Sequence, residues 1–351
     1  MALTPNSTLF TSLLQDWNRN FNRRNMPWKG ISDPYKIWLS EIILQQTRVE
    51  QGLKYFYLFT ENYPCIADLA NAKDEEVFKL WQGLGYYNRC RNMLATARNI
   101  HLNYQGCFPG TYDEILALKG IGEYTAAAIA SFAFSLPYAV VDGNVVRVLS
   151  RVFGLQSNFF DSKGKREIQQ LATSLLDKEN PAIYNQAIMD LGATVCKPQN
   201  PLCLECPFTS ICHAFLKNEI VQFPVKKVRR ELKERHFHFL VFHTKKHLYL
   251  QKRTGDDIWK DLYAFYTIES TQLRKALLPS FIDKPSLRKP LLLKQVLSHQ
   301  RIIGQFYQVE IELETAVSLN ELNLIKIKKT DMNKFAFPKL IVSFFENNNY
   351  L

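Results

Sequence analysis

The chain has 351 residues, with 44 Lys and Arg against 33 Asp and Glu, a formal net charge of +11 and a sequence pI near 9.2. That length should hold more than one domain, and the positive balance favours polyanionic partners, nucleic acid first. No apolar run approaches a bilayer span, and the start, MALTPNSTLFTSLLQDWN, reads as a polar lead-in to an amphipathic helix rather than a signal peptide, so a membrane partner is not expected.

The first 215 or so residues read as helices joined by short loops. Asp33-Pro34 pairs a capping residue with a proline suited to the first helical position, and opens a helix through Leu44. Glu41 lies on that helix with Ile37, Trp38, Leu44 and Gln45 three and four positions away, so its carboxyl falls on a largely apolar stripe. Desolvation there raises the pKa and suits a general acid; a core glutamate bonded to nearby backbone is the plainer reading. The run Trp81-Gln82-Gly83-Leu84-Gly85-Tyr86-Tyr87-Asn88-Arg89 offers a Leu or aromatic on a glycine-flanked turn, able to enter a base stack, with arginines for phosphates.

Thr111 and Glu114 form a capping box for a short helix ending near Leu118. The turn Lys119-Gly120-Ile121-Gly122 follows, then a small-residue helix from Tyr124 to Phe134, which together make a helix–hairpin–helix candidate whose glycine amides can approach a phosphate. Asp142, before Gly143-Asn144-Val145, sits at the start of the next helix, where amides and dipole should keep its pKa low and its charge persistent. By itself it could be an ordinary cap. Two carboxyls with separated pKa values are nevertheless the arrangement that cleaves glycosidic bonds.

Cys196, Cys203, Cys206 and Cys212 follow a C-x6-C-x2-C-x5-C pattern. Four thiolates so close suit an iron–sulfur cluster or zinc, and the single C-x2-C pair favours the cluster. Cys65, Cys90 and Cys107 are scattered, as expected in a reducing cytoplasm. Beyond Lys217 the texture changes. KKVRRELKER, residues 226–235, reads as a solvated connector, and HFHFLVFHT, HLYLQKR and GQFYQVEIEL read as half-buried strands before a final helix from about Pro338 to Glu346.

Several of these pieces, in this order, resemble the helix–hairpin–helix DNA glycosylase superfamily with an iron–sulfur loop, and within it the MutY-type adenine DNA glycosylases. The pieces are WLSEIILQQTRV, WQGLGYYNRCRN, LKGIGEYTAAAIA, VDGNVVRVLSR, NQAIMDLGATVC and the cysteine loop. The resemblance is strong over about residues 8–215 and looser beyond. It implies a multidomain chain: an all-α helix–hairpin–helix glycosylase domain over 1–217, with a 4Fe-4S cluster loop at 196–212, a basic linker over 218–235, and a C-terminal α+β Nudix-like domain over 236–351.

The resemblance also implies roles. Adenine paired with 8-oxoguanine or guanine in double-stranded DNA would be flipped into a pocket by a monomer. Glu41 would protonate the base, Asp142 would stabilise the oxocarbenium sugar, and Asn144 would orient Asp142. Tyr124 stands where the endonuclease III branch carries a lysine nucleophile; a phenol forms no Schiff base, so a monofunctional glycosylase is expected. Gln46, Thr47, Leu84 and Tyr86 would line the mispair, Trp28, Lys29 and Asp190 would lie near the adenine, and Gly120 and Gly122 would meet phosphate. Ser298 and His299 would read the lesion, although Leu297 replaces the family's Phe and Lys119 its hairpin Pro. The Glu-rich box of true Nudix hydrolases is absent, so the C-terminal domain is expected to recognise rather than hydrolyse. The rivals are an endonuclease III-like enzyme for oxidised pyrimidines and a non-catalytic, cluster-bearing DNA-binding protein.

Overall fold

The computed structural model describes residues 5–225, 231–282, 287, 289–311 and 322–348; residues 226–230 of the expected connector and 312–313 of the third expected strand lie outside them. Its contacts divide the chain into two units, Met1–Ala70 with Asn92–Arg229, and Asn71–Arg91 with Arg230–Leu351.

The first unit is helical. Its elements are α1 (Pro5–Asn20), α2 (Pro34–Leu44), α3 (Val49–Asn62) and α4 (Ile66–Asn71), then, after α5 (Asp74–Leu80) of the second unit, most of α6 (Asn88–Asn103). They continue with α7 (Tyr112–Ala117), α8 (Glu123–Phe134), α9 (Gly143–Phe153), α10 (Ser162–Leu175), α11 (Pro181–Thr194) and α12 (His213–Leu216). The caps read from sequence are in place: Asp33 accepts from the amides of Tyr35 and Lys36, Thr111 from Glu114 and Asp142 from Val145. One core joins Phe10 and Leu14 of α1 to Val148 and Leu149 of α9, Leu191 of α11 and Phe208, and Cys196, Cys206 and Cys212 pack against it. Phe10 stacks on Phe208 with ring centroids 4.2 Å apart, which ties the first helix to the cysteine loop. Phe10→Ala is therefore expected to cost about 3–5 kcal/mol, measured as a fall in the denaturation midpoint; an unchanged midpoint would contradict this account of the core.

The second unit is built on a mixed sheet. Its strands are β1 (Lys233–His243), β2 (His247–Lys252), β3 (Tyr263–Ala264), β4 (Tyr266–Glu269), β5 (Leu291–Val296), β6 (Gln300–Glu310) and β7 (Ile325–Lys328). The path runs β3-β2-β1-β6-β5, with β4 on β1 and β7 on β2. β1 and β6 are parallel, from Lys233 opposite Gln300 to His243 opposite Glu310, and the other pairings are antiparallel. Two expectations change here. The connector expected to run to residue 235 is already strand from Lys233, and Arg235 is no solvated cation: it bonds both carboxylate oxygens of Asp257 and of Glu269. And β1, expected to be half-buried, is buried without interruption from Phe237 to Phe242. Both of its faces are covered: Phe239 stacks on Phe306, which stacks on Phe344 of the closing helix α13 (Lys339–Asn347), while Leu240 and Phe242 join a separate core with Tyr249 and Ile268. A strand covered on two sides reads as a continuous apolar run.

Residues 71–91, expected within the helical domain, sort with this second unit. Lys79 donates to the Phe335 carbonyl at 3.1 Å, Gln82 accepts from the Phe337 amide at 3.3 Å, and Arg91 donates to the Lys260 carbonyl at 2.7 Å. Glu75 pairs with Lys252 at 3.1 Å. Among the described residues no helix is long and apolar enough to cross a membrane.

Candidate active site

One cavity of about 490 Å³ opens in the helical unit, within the range of small-molecule sites. Its wall is assembled from α2 and the turn after it, α8, the start of α9, α11 and the loop around Arg24. Glu41 and Asp142 both line it. The sequence could suggest that each had a suitable environment; only the packing of α2 on α8 and of α9 on α11 brings the two to the same space.

Glu41 is 8 % exposed. Burial pushes its pKa from the usual 4.5 up to about 7; a hydrogen bond with Tyr124 opposes that rise and the Asp142 charge adds to it. The shift has the direction expected for Glu41 from its apolar stripe. Tyr124→Phe would remove the one bond that holds the Glu41 pKa down, so the alkaline limb of a rate profile is expected to move to higher pH. A limb that stays in place or moves down in this variant would show that the phenol does not tune the acid.

Asp142 departs from expectation. It does cap α9, accepting the Val145 amide at 2.8 Å, and Asn144 donates to it from Nδ2 at 2.6 Å. Its pKa is nonetheless raised rather than low, because burial outweighs those bonds and the nearby Arg147 charge. A cap on the surface keeps its water; this one faces a cavity wall and loses most of it. The two carboxyls still differ in kind. Glu41 has a phenol for support, whereas Asp142 has two backbone amides, a carboxamide and a cation.

Asn144 is itself held. Arg147 donates to the Asn144 Oδ1 at 2.8 Å, the Gly192 carbonyl at 2.6 Å and the Cys196 carbonyl at 2.7 Å. With its oxygen occupied by a guanidinium, the Asn144 carboxamide has to turn its NH2 towards Asp142. Gly192 permits this approach of α11 to α9, since a Cβ there would lie 2.6 Å from the Asn144 Cβ.

Of the other expected residues, Trp28, Gln46 and Thr47 line the cavity, and Gln46 holds a left-handed φ of 56°, strained for a side chain of its type. Lys29 and Asp190 do not line it. Asp190 has no exposed surface and stands behind the wall, and the partly exposed Lys29 is paired with it at 2.9 Å. Arg24, Gln186, Phe132 and Met189 are wall residues that sequence reasoning missed. Gln186 could have been found, because it lies one helical turn before Asp190 on the same face of α11; nothing local marks Arg24.

The glycine-flanked turn belongs to the second unit; in it Leu84 is 5 % exposed, while Tyr86 is 43 % exposed with φ 48°. Arg89, expected near phosphate, is buried against the Trp81 and Tyr86 rings and donates to the Leu84 and Gly85 carbonyls. In the hairpin between α7 and α8, Gly120 adopts φ 80° and Gly122 caps α8. A Cβ at Gly120 would lie 2.6 Å from that of Asn92, whereas Gly122 has open space around it, as a backbone approached by a ligand requires. Ser298 and His299 occupy the tip between β5 and β6, bonded to each other at 3.1 Å and exposed.

Cys196, Cys203, Cys206 and Cys212 line one small cleft with Val148, Val152 and Phe208. Burial pushes the Cys206 thiol up to about 12. Arg151 reaches Cys196 Sγ at 3.4 Å and the Lys197 carbonyl at 2.8 Å. Among the described residues, no group of three or more His, Cys, Asp or Glu is arranged to hold a single metal ion.

Residues 39–178 match the HhH-GPD superfamily base excision DNA repair protein family. The chain is 35 % identical over 257 residues to the adenine DNA glycosylase of Buchnera aphidicola subsp. Acyrthosiphon pisum (strain APS), a match covering 73 % of each. It is 39 % identical over 236 residues to the adenine DNA glycosylase of Mus musculus, covering 65 % of this chain and 46 % of that one. A solved thermostable thymine-DNA glycosylase superposes with a TM-score of 0.56 at 30 % identity, over 60 % of this chain and 97 % of that one. The matched family model, with the helical fold, thus defines the class, the helix–hairpin–helix glycosylases of base excision repair. Within that class the chain belongs to the adenine DNA glycosylase family.

Proposed function

We propose that this chain flips adenine out of duplex DNA, where it is mispaired with 8-oxoguanine or guanine, and hydrolyses its N-glycosidic bond as a monomer in a reducing cytoplasm. The observation that carries the proposal is the shared cavity, in which one carboxyl titrates near 7 beside a second, differently supported one. Protonated Glu41 gives its proton to a ring nitrogen of adenine, and the bond to the sugar breaks with its electron pair leaving on the base. Asp142 faces the positive charge that develops at the sugar. Water then adds at that carbon and loses a proton to the carboxylate that Glu41 has become. Tyr124 is bonded to Glu41 and cannot form an imine, so the strand stays intact.

Around the chemistry, Trp28 supplies an apolar wall and Arg24 and Gln186 supply polar groups for the base. Gly120 and Gly122 meet phosphate at the hairpin, and Tyr86 rather than Leu84 enters the stack. The second unit acts as a Nudix-like reader of 8-oxoguanine through Ser298 and His299 at an exposed turn. The four cysteines fit one 4Fe-4S cluster: the donors are all soft thiolates lining one cleft, and their spacing holds a single C-x2-C pair where four-cysteine zinc sites usually have two. Bound, the cluster would hold the loop 196–212 against α9 through Arg147 and Arg151, and takes no part in the hydrolysis. Purified protein is expected to contain iron and sulfide in equal amounts and no zinc.

Single-turnover assays on duplexes carrying A:8-oxoguanine, A:G or thymine glycol test the proposal. Adenine should be released from the first two, with strand breaks only after alkali. Release from the thymine-glycol duplex instead, or breaks without alkali, would favour the endonuclease III-like rival.

A further inference from the structure

Asp190 is a buried carboxylate that the hydrolysis described above does not use. It accepts four side-chain hydrogen bonds, all of 2.9 Å: from Arg24 Nη1 and Gln186 Nε2 on Oδ1, and from Asn22 Nδ2 and Lys29 Nζ on Oδ2. It has no exposed surface and does not line the cavity. Two of its donors do: Arg24 and Gln186 are both wall residues.

A carboxylate can only accept. Gln186 must therefore turn its NH2 to Asp190, which leaves Oε1 as its polar atom for the cavity. Rotating the amide would set oxygen against oxygen in a buried place, at the cost of a lost bond and a repulsion. Gln186 is thus fixed as an acceptor, although a glutamine on its own could present either group.

We propose that Asp190 is a positioning residue for base selection: it locks the Gln186 amide with its oxygen towards the cavity, so that an exocyclic amine is accepted and a carbonyl at the same place is refused. Adenine carries such an amine. Hypoxanthine is the same purine with a carbonyl in its place, and it sets acceptor against acceptor. The proposal rests on the reading of the cavity as an adenine site and adds what makes it selective.

The test compares single-turnover release of adenine and of hypoxanthine from duplexes otherwise identical and containing 8-oxoguanine. The proteins are the wild type, Asp190→Asn, Gln186→Leu and the double variant. An asparagine at 190 both accepts and donates, so it tolerates either orientation of Gln186. The adenine-to-hypoxanthine rate ratio is expected to fall about tenfold or more in Asp190→Asn and in Gln186→Leu. The double variant should fall no further than Gln186→Leu alone, since the first change acts through the second residue. If Asp190→Asn slows both bases equally, the carboxylate only holds the fold and the proposal is overturned. Should that variant fail to fold, Gln186→Leu decides by itself, and undiminished preference for adenine there sinks the proposal. A wild type that releases no adenine would instead refute the adenine reading.

Discussion

Asp142→Asn is expected to reduce single-turnover release of adenine by about 10³-fold or more, about 4 kcal/mol in transition-state stabilisation, while duplex binding is kept. The variant is nearly isosteric. It can still accept the Val145 amide and cap α9, so the helix start should survive. What it loses is charge facing the developing cation, on a side chain that burial has already partly desolvated. It also places a donor opposite Asn144 Nδ2, which Arg147 prevents from turning round. Release within tenfold of wild type, at matched binding, would remove Asp142 from the mechanism.

Glu41 predicts an effect with a pH signature. The acid must be protonated to work, and it titrates near 7, so the rate should fall about tenfold per pH unit above that point. At the other end the rate should fall once Asp142 is protonated, at a pH above the ordinary range for aspartate. Glu41→Gln should be nearly inactive at every pH. It should also be more stable than wild type in alkali, and the sign follows from the direction of the shift. A carboxyl whose folded pKa is raised contributes stability in full below its unfolded value of 4.5 and loses it as pH climbs through about 7. The difference is at most about 3 kcal/mol, and glutamine escapes it. Melting both proteins at about pH 5 and pH 8 checks this. If the gap between them does not widen in alkali, Glu41 is not the buried acid described here.

Part of this was open to reading from the chain alone. Glu41 could be found because its neighbours at helical spacing are Ile37, Trp38 and Leu44, and such a stripe must face a core. The caps at Asp33, Thr111 and Asp142 could be found because a short oxygen side chain before a helix meets amides within its own turn. Asp142 also shows where such reading stops. Its hydrogen bonds are local and were foreseen; its burial comes from residues far along the chain, and burial decided the direction of its pKa. The burial of Leu84 and Arg89 was likewise not legible, since exposure is not a property of a tetrapeptide.

By itself the sequence determined the helices, their caps, the tight glycine hairpin, the four-thiol loop and the apolar setting of Glu41, all of which depend on residues a few places apart. Tertiary structure alone decided that Glu41 and Asp142 share a cavity, that Asp190 stands behind its wall rather than in it, and that residues 71–91 keep company with the sheet. Those outcomes depend on desolvation and on donors brought from distant segments, and neither is set by spacing along the chain.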